Sequence, residues 1–270
     1  MQWTPPMHRI CGYKKMYEKE VRELCSRIRD RRPLVHNITN YVAMNFSANI
    51  LLALGASPIM SSEPDEMEEI VSGASSLVIN IGCLEKEQMK AALSAVATAG
   101  RCGIPWALDP AGVGVSRMRK DFVSKLVSCC RPAAIRGNAS EILTLCGTIC
   151  DASGVDSTVS SGDAVEDAMS LAATLGTIVA VSGEVDYVTD GEKVERITGG
   201  SPLMARVTAM GCACTAVAGA ALAVEEDAFA AVCSAMKLMA LAGSTAGERF
   251  SAPGSFATGF IDALFEISNG

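Results

Sequence analysis

Residues 132–141 read PAAIRGNASE: an apolar run, then an arginine, two turn-formers and a glutamate at what reads as the start of a helix. Such a run suits a strand buried on both faces, and the polar residues lie where that strand gives way to the helix. The pattern recurs in both directions. SLVINIG (76–82), IPWALDP (104–110) and GTIVAVSG (176–183) are short apolar runs ending in glycine, proline or an acid. Around them apolar residues fall at helical spacing, as at Met89, Ala92, Leu93 and Val96, and earlier at Tyr17, Val21, Leu24 and Ile28. Buried strands alternating with amphipathic helices predict an α/β fold with a mostly parallel central sheet flanked by helices. DYVTDGEKVERI, after Gly183, alternates about an Asp-Gly turn and predicts a hairpin at the sheet edge. From Cys212 to about Phe265 the chain reads as helical, broken near APGS. No internal repeat or low-complexity linker divides it, so residues 16–270 form one domain and 1–15 an extension expected to be disordered.

Composition narrows the function. The 270 residues are 49% hydrophobic, enough for a substantial core. A net charge of -7 and 5% aromatic residues supply no basic stripe for a phosphate backbone, which argues against nucleic acid and for a small-molecule partner. The 11 cysteines are odd in number and scattered through apolar stretches such as VSCCRPA and LTLCGTIC, the pattern of reduced thiols in the cytoplasm. With only His8 and His36 and no CxxC, a structural zinc site lacks ligands. No apolar run is read as long and uninterrupted enough to span a bilayer, since GCACTAVAGAALAV stops at Glu225, so no membrane partner is expected. The first 15 residues, MQWTPPMHRICGYKK, are basic and free of acids but lack the long apolar region and the serines of a targeting segment.

In open α/β sheets ligands bind beyond the carboxyl ends of the strands. That rule selects Asn80 and Gly82, Asp109, Arg136 with Asn138 and Glu141, and Ser182 with Gly183. Asp109, followed by PAGVG, is placed either to hold magnesium or to cap the next segment. Glu141 either shares that metal from an early helical position or is an ordinary acid favoured by the helix dipole. Arg136 matches a phosphate with two parallel hydrogen bonds, or else pairs with a nearby carboxylate. In TAMGCACTAVAGAALAV small residues lead into a long apolar helix whose first amides form an anion cradle, although small residues equally permit close packing. Cys212 sits near that amino terminus, where a thiol pKa tends to fall, or is simply a small buried hydrophobe.

Together these stretches resemble the hydroxyethylthiazole kinase family of thiamine biosynthesis, in the ribokinase-like superfamily. The likeness runs from about Met16 to the C-terminus and is carried by PLVHNITNYVAMNFSANILLALGASPIM, LDPAGVG, AAIRGNASEI, VSGEVDYVTDG and PGSF. It implies a ribokinase-like fold with no separate lid domain, and transfer of phosphate from ATP, with Mg2+, to the alcohol of 4-methyl-5-(2-hydroxyethyl)thiazole. By motif, Asp109 and Glu141 are the metal-proximal acids, Arg136 and Ser182 meet ATP, and Asn40, Met60, Gly82, Ala209 and Gly211 lie on the substrate side. Cys212 matches the family's cysteine, where related sugar kinases carry an aspartate base. A thiol suits that task only with a depressed pKa, so positioning and phosphate electrostatics carry most of the catalysis. The likeness also implies a homotrimer with sites between subunits.

One turn departs from the pattern. Where the family reads glycine, a small residue, glycine and cysteine, this chain has Ala209, Met210, Gly211 and Cys212. Alanine is harmless at negative φ, but a left-handed conformation costs about 1–2 kcal/mol, and Met210 adds bulk near the phosphate path. Rival readings are a pyridoxal or hydroxymethylpyrimidine kinase, a weakly active nucleotide-binding relative, and a nucleotide-dependent oxidoreductase. HNITN and GASPIM argue against the first, and intact Asp109, Arg136 and Glu141 against the second. The third lacks a GxGxxG after a strand.

Overall fold

The apolar runs assemble into one 8-stranded sheet in the order β2-β1-β3-β4-β5-β6-β7-β8. In this computed structural model, which describes residues 7–149 and 160–270, the strands are β1 (Leu34–Ile38), β2 (Ser57–Ile59), β3 (Ser76–Asn80), β4 (Trp106–Asp109), β5 (Ala134–Asn138), β6 (Ile178–Ser182), β7 (Asp186–Thr189) and β8 (Val194–Ile197). Neighbours from β2 to β6 run parallel, and β6-β7-β8 are antiparallel, with the expected hairpin at the edge.

Helices cover both faces. On one lie α1 (Met7–Arg31), α2 (Tyr41–Ala53), α8 (Met210–Leu222), α9 (Ala228–Arg249) and α10 (Pro253–Asn269). On the other lie α3 (Met67–Gly73), α4 (Lys86–Cys102), α5 (Arg117–Cys129), α6 (Ala139–Ile149) and α7 (Val165–Leu175). Side chains alternate between the two cores as a pleated strand requires. Val78, Ala107, Ala134 and Ala180 face the first core, and Ile79, Leu108, Ile135 and Val179 the second. The first face is lined by small residues because α8 presses closely on it. A Cβ at Gly219 in α8 would stand 2.4 Å from Val78 Cγ2, so the glycine permits the helix to seat against β3.

The structure adds two strands to those read from the sequence and corrects one expectation. Strands β1 and β2 were not anticipated from periodicity, because His36 and Asn37 interrupt the first; both are buried, with His36 Nε2 3.0 Å from the Ser61 carbonyl and Asn37 Nδ2 donating to the Val35 carbonyl. α9 is long and apolar enough to cross a membrane by length and composition, contrary to the reading that no run is. Two thirds of its apolar stretch is buried inside the fold, as in a core helix, and its Lys237 pairs with Glu20 and Glu195. Of the extension expected at residues 1–15, residues 1–6 lie outside the described residues, and α1 begins at Met7.

Candidate active site

Two residues beyond the small first-face side chains, on the same face of four adjacent strands, come Asn80, Asp109, Arg136 and Ser182. Asn80 and Asp109 are direct cross-strand neighbours, and Arg136 pairs in register with Ala180 on Ser182's strand. The amino-terminal end of α8 lies against this row. Thr215, in its second turn, donates its hydroxyl to Asp109 Oδ2 at 3.0 Å, and a Cβ at Gly211 would fall 2.5 Å from Arg136 Nη1.

Asp109 is 2% exposed. Burial pushes its carboxyl up to about 6; Arg136 opposes the shift, Glu141 adds to it, and hydrogen bonding lowers it slightly. The carboxylate is therefore incompletely compensated. Arg136 donates to the Ser182 hydroxyl, and its Nε has no partner. Among the described residues no carboxylate lies within ion-pair distance of it, so the alternative reading of Arg136 as half of a salt bridge is not realised. Asp186, which the sequence did not single out, interacts electrostatically with the arginine and is pushed up to about 6 by burial, against the pull of the Gly183 amide and Arg136.

The stretch 136–141 has a definite local structure. The Asn138 side chain accepts the Glu141 amide at 2.9 Å, and Glu141 Oε2 accepts the Asn138 amide at 2.8 Å, a reciprocal cap on α6. Glu141 Oε1 reaches further, to the amide of Gly112 at 2.9 Å, and so ties the loop after β4 to the helix after β5. Gly112 takes φ +68°, which explains a glycine at that point of PAGVG. Glu141 is thus a capping acid, and each of its oxygens keeps a lone pair. Among the described residues no group of three or more metal-ligating side chains stands together. An under-compensated Asp109 beside Glu141 fits a hydrated magnesium ion arriving with a nucleotide, which needs only one or two carboxylates.

A second group of the expected site residues is brought together around Cys212. Asn40 caps α2 through its Oδ1 and directs Nδ2 to Asn80 Oδ1 at 2.9 Å and to Cys212 Sγ at 3.7 Å. Gly82 donates its amide to the same Asn80 oxygen, and a Cβ there would lie 2.7 Å from Asn40. The Cys212 thiol is pushed up to about 11, chiefly by burial and then by Asp109. The direction is opposite to the lowering expected at a helix terminus, because burial disfavours the thiolate. Met60 follows the edge strand β2 and packs against the first-face core, two strands from β3. Arg119 is another residue the sequence did not single out: it donates to the carbonyls of Ile81, Gly82 and Ala111, clamping the loops after β3 and β4 together.

The sequence profile of the hydroxyethylthiazole kinase family matches residues 25–270. The chain belongs to the hydroxyethylthiazole kinase family. A hydroxyethylthiazole kinase of Brachyspira hyodysenteriae is 45% identical over 250 residues, covering 93% of this chain and 94% of that one. The structure of a hydroxyethylthiazole kinase protein from Pyrococcus horikoshii superposes with a TM-score of 0.85 at 38% identity, covering 92% of this chain and 93% of its own. A ribokinase-like superfamily protein from Enterococcus faecalis shares the fold, with a TM-score of 0.63 at 13% identity over 88% of this chain and 89% of its own.

Within the hydroxyethylthiazole kinase family, the departure at the α8 turn now has a structural description. Ala209 adopts φ +66°, the left-handed conformation in which a Cβ is strained. Met210, expected near the phosphate path, is buried and packs in the first-face core.

Proposed function

We propose that the chain phosphorylates the hydroxyethyl group of 4-methyl-5-(2-hydroxyethyl)thiazole, using ATP and magnesium, to give the thiazole phosphate of thiamine biosynthesis or salvage. The observation that carries this reading is the row of Asn80, Asp109, Arg136 and Ser182 beneath the α8 amino terminus, in a chain of this family. Among the described residues Arg136 has an unpartnered Nε and no carboxylate within ion-pair distance, which supports its reaching ATP phosphates, with Ser182 beside it. The first amides of α8 add a second anion-binding element. Asp109 and Glu141 would hold magnesium, which would screen the phosphate charge.

In the transfer itself the alcohol oxygen bonds to the γ-phosphorus, the bond to the β,γ-bridging oxygen breaks, and ADP leaves. The alcohol proton needs an acceptor. Cys212, titrating near 11, is a neutral thiol and serves to line the alcohol site with Asn40, Gly82, Gly211 and the backbone of Ala209. Asp109, pushed up to about 6 by burial, is the acceptor in this scheme through the oxygen that magnesium would leave free.

Assembly completes the proposal. Tyr41 and Val42, 71% and 59% exposed beside Asn40, and Met60 at the sheet edge suit a homotrimer whose sites lie between chains, in a cytoplasm that keeps thiols such as Cys212 and Cys214 reduced. The test is ADP release from ATP and magnesium with a panel of alcohols. The thiazole alcohol should outperform pyridoxal and hydroxymethylpyrimidine, and turnover with only one of the latter would reject the substrate.

A further inference from the structure

Asn80 is 2% exposed, and its side-chain amide has only half of its hydrogen-bonding capacity used. Its Oδ1 accepts from both the Gly82 amide and Asn40 Nδ2, each at 2.9 Å. Two donors converging on one atom fix which end of the amide is oxygen, so the NH2 group points the other way. That NH2 makes no hydrogen bond of good geometry; the acceptors nearest it are Asp109 and Cys212, which engage it only weakly. A buried amide donor without a well-aligned acceptor is unfavourable, and a ligand oxygen placed there would relieve it.

The position is specific. Asn80 stands directly across from Asp109 in the parallel ladder, and its partner Asn40 touches Cys212 from the other side. Asp109 when ionised is an acceptor only, and so it can take the proton of an incoming alcohol but cannot direct the oxygen's lone pairs. A donor on a second side is required if one lone pair is to be held and the other left facing the phosphorus.

We propose that Asn80 binds the acceptor alcohol through Nδ2, donating to its hydroxyl oxygen and thereby setting the attacking lone pair. This deepens the kinase reading and rests on it. No proton moves through Asn80: the alcohol proton goes to Asp109, and the amide only orients the oxygen.

The test couples a protein change to a ligand change. Binding of the thiazole alcohol and of 4-methyl-5-ethylthiazole, which lacks the hydroxyl, is measured by calorimetry for the full chain and for Asn80→Ala. The unaltered chain should favour the alcohol by roughly tenfold, the size of one hydrogen bond, and the variant should discriminate by under about threefold. Asn80→Asp, which keeps an acceptor for Asn40 and Gly82 but loses the donor, should fall roughly 100-fold or more in kcat with its ATP KM little changed. Should Asn80→Ala fail to fold, the Asn80→Asp kinetics decide alone. Equal discrimination in variant and unaltered chain, or an Asn80→Asp kcat near that of the unaltered chain, overturns the inference. Absence of any thiazole phosphorylation by the unaltered chain would instead sink the kinase reading itself.

Discussion

A Cβ at Gly211 would stand 2.5 Å from Arg136 Nη1, so the first turn of α8 and the guanidinium occupy adjoining space with none to spare. The Arg136 guanidinium is positioned by the absence of a side chain at Gly211 on the first turn of α8. Gly211→Ala should displace the guanidinium while leaving the second-turn Thr215 contact to Asp109 in place. Steady-state kinetics should show kcat/KM for ATP reduced by at least about tenfold, with circular dichroism unchanged. Kinetics like those of the unaltered chain would show that Arg136 does not serve the nucleotide.

Ala209 and Met210 should respond in opposite ways. Ala209 is strained at φ +66°, and glycine removes a penalty of about 1–2 kcal/mol against an entropic cost of up to about 1 kcal/mol. Ala209→Gly should therefore melt at or slightly above the temperature of the parent chain and raise kcat more than it alters the ATP KM. Met210→Thr empties part of the core and should lower stability by about 2–4 kcal/mol, with no gain in rate. Denaturant titration paired with kinetics measures both.

Asp109 and Asp186 give the chain a characteristic dependence on pH. Each is raised to about 6 in the fold, above the unfolded value near 4. The folded chain therefore binds protons more tightly between about pH 4 and 6, and their contribution to stability declines as pH rises through that window and is lost above it. Asp109→Asn should raise stability at neutral pH by on the order of 1–3 kcal/mol, flatten the slope between about pH 4 and 6, and abolish turnover. Catalysis that needs ionised Asp109 should rise through about pH 6 in the parent chain. Urea unfolding at several pH values, with an unchanged slope in the variant, would contradict the assignment.

How far the sequence shows these things depends on what each residue needs. The runs at 76–82, 104–110, 132–138 and 176–183 are legible as strands because burial on both faces leaves them continuously apolar, and the hairpin because its turn is Asp-Gly. β1 escapes the same reading because His36 and Asn37 interrupt its apolar run, His36 Nε2 and Asn37 Nδ2 reaching carbonyls within the fold. The strand-end rule finds Asp109, Arg136 and Ser182. It cannot give the orientation of the Asn80 amide, which depends on Asn40 from another strand end, nor the clamp of Arg119 on three carbonyls. The helix amino terminus beside Cys212 is visible in the sequence, but the burial that reverses its effect on the thiol is not. The strain at Ala209 likewise depends on a dihedral angle that composition does not reveal.

The central claim is that the strand-end row transfers phosphate to a thiazole alcohol, and phosphorus NMR of one reaction mixture tests it most directly. With ATP, magnesium and 4-methyl-5-(2-hydroxyethyl)thiazole, the ADP signals should grow in step with a new phosphomonoester signal, and Arg136→Ala should slow both by at least about 100-fold. ADP accompanied only by inorganic phosphate, or a phosphomonoester formed at an undiminished rate by Arg136→Ala, would contradict the account.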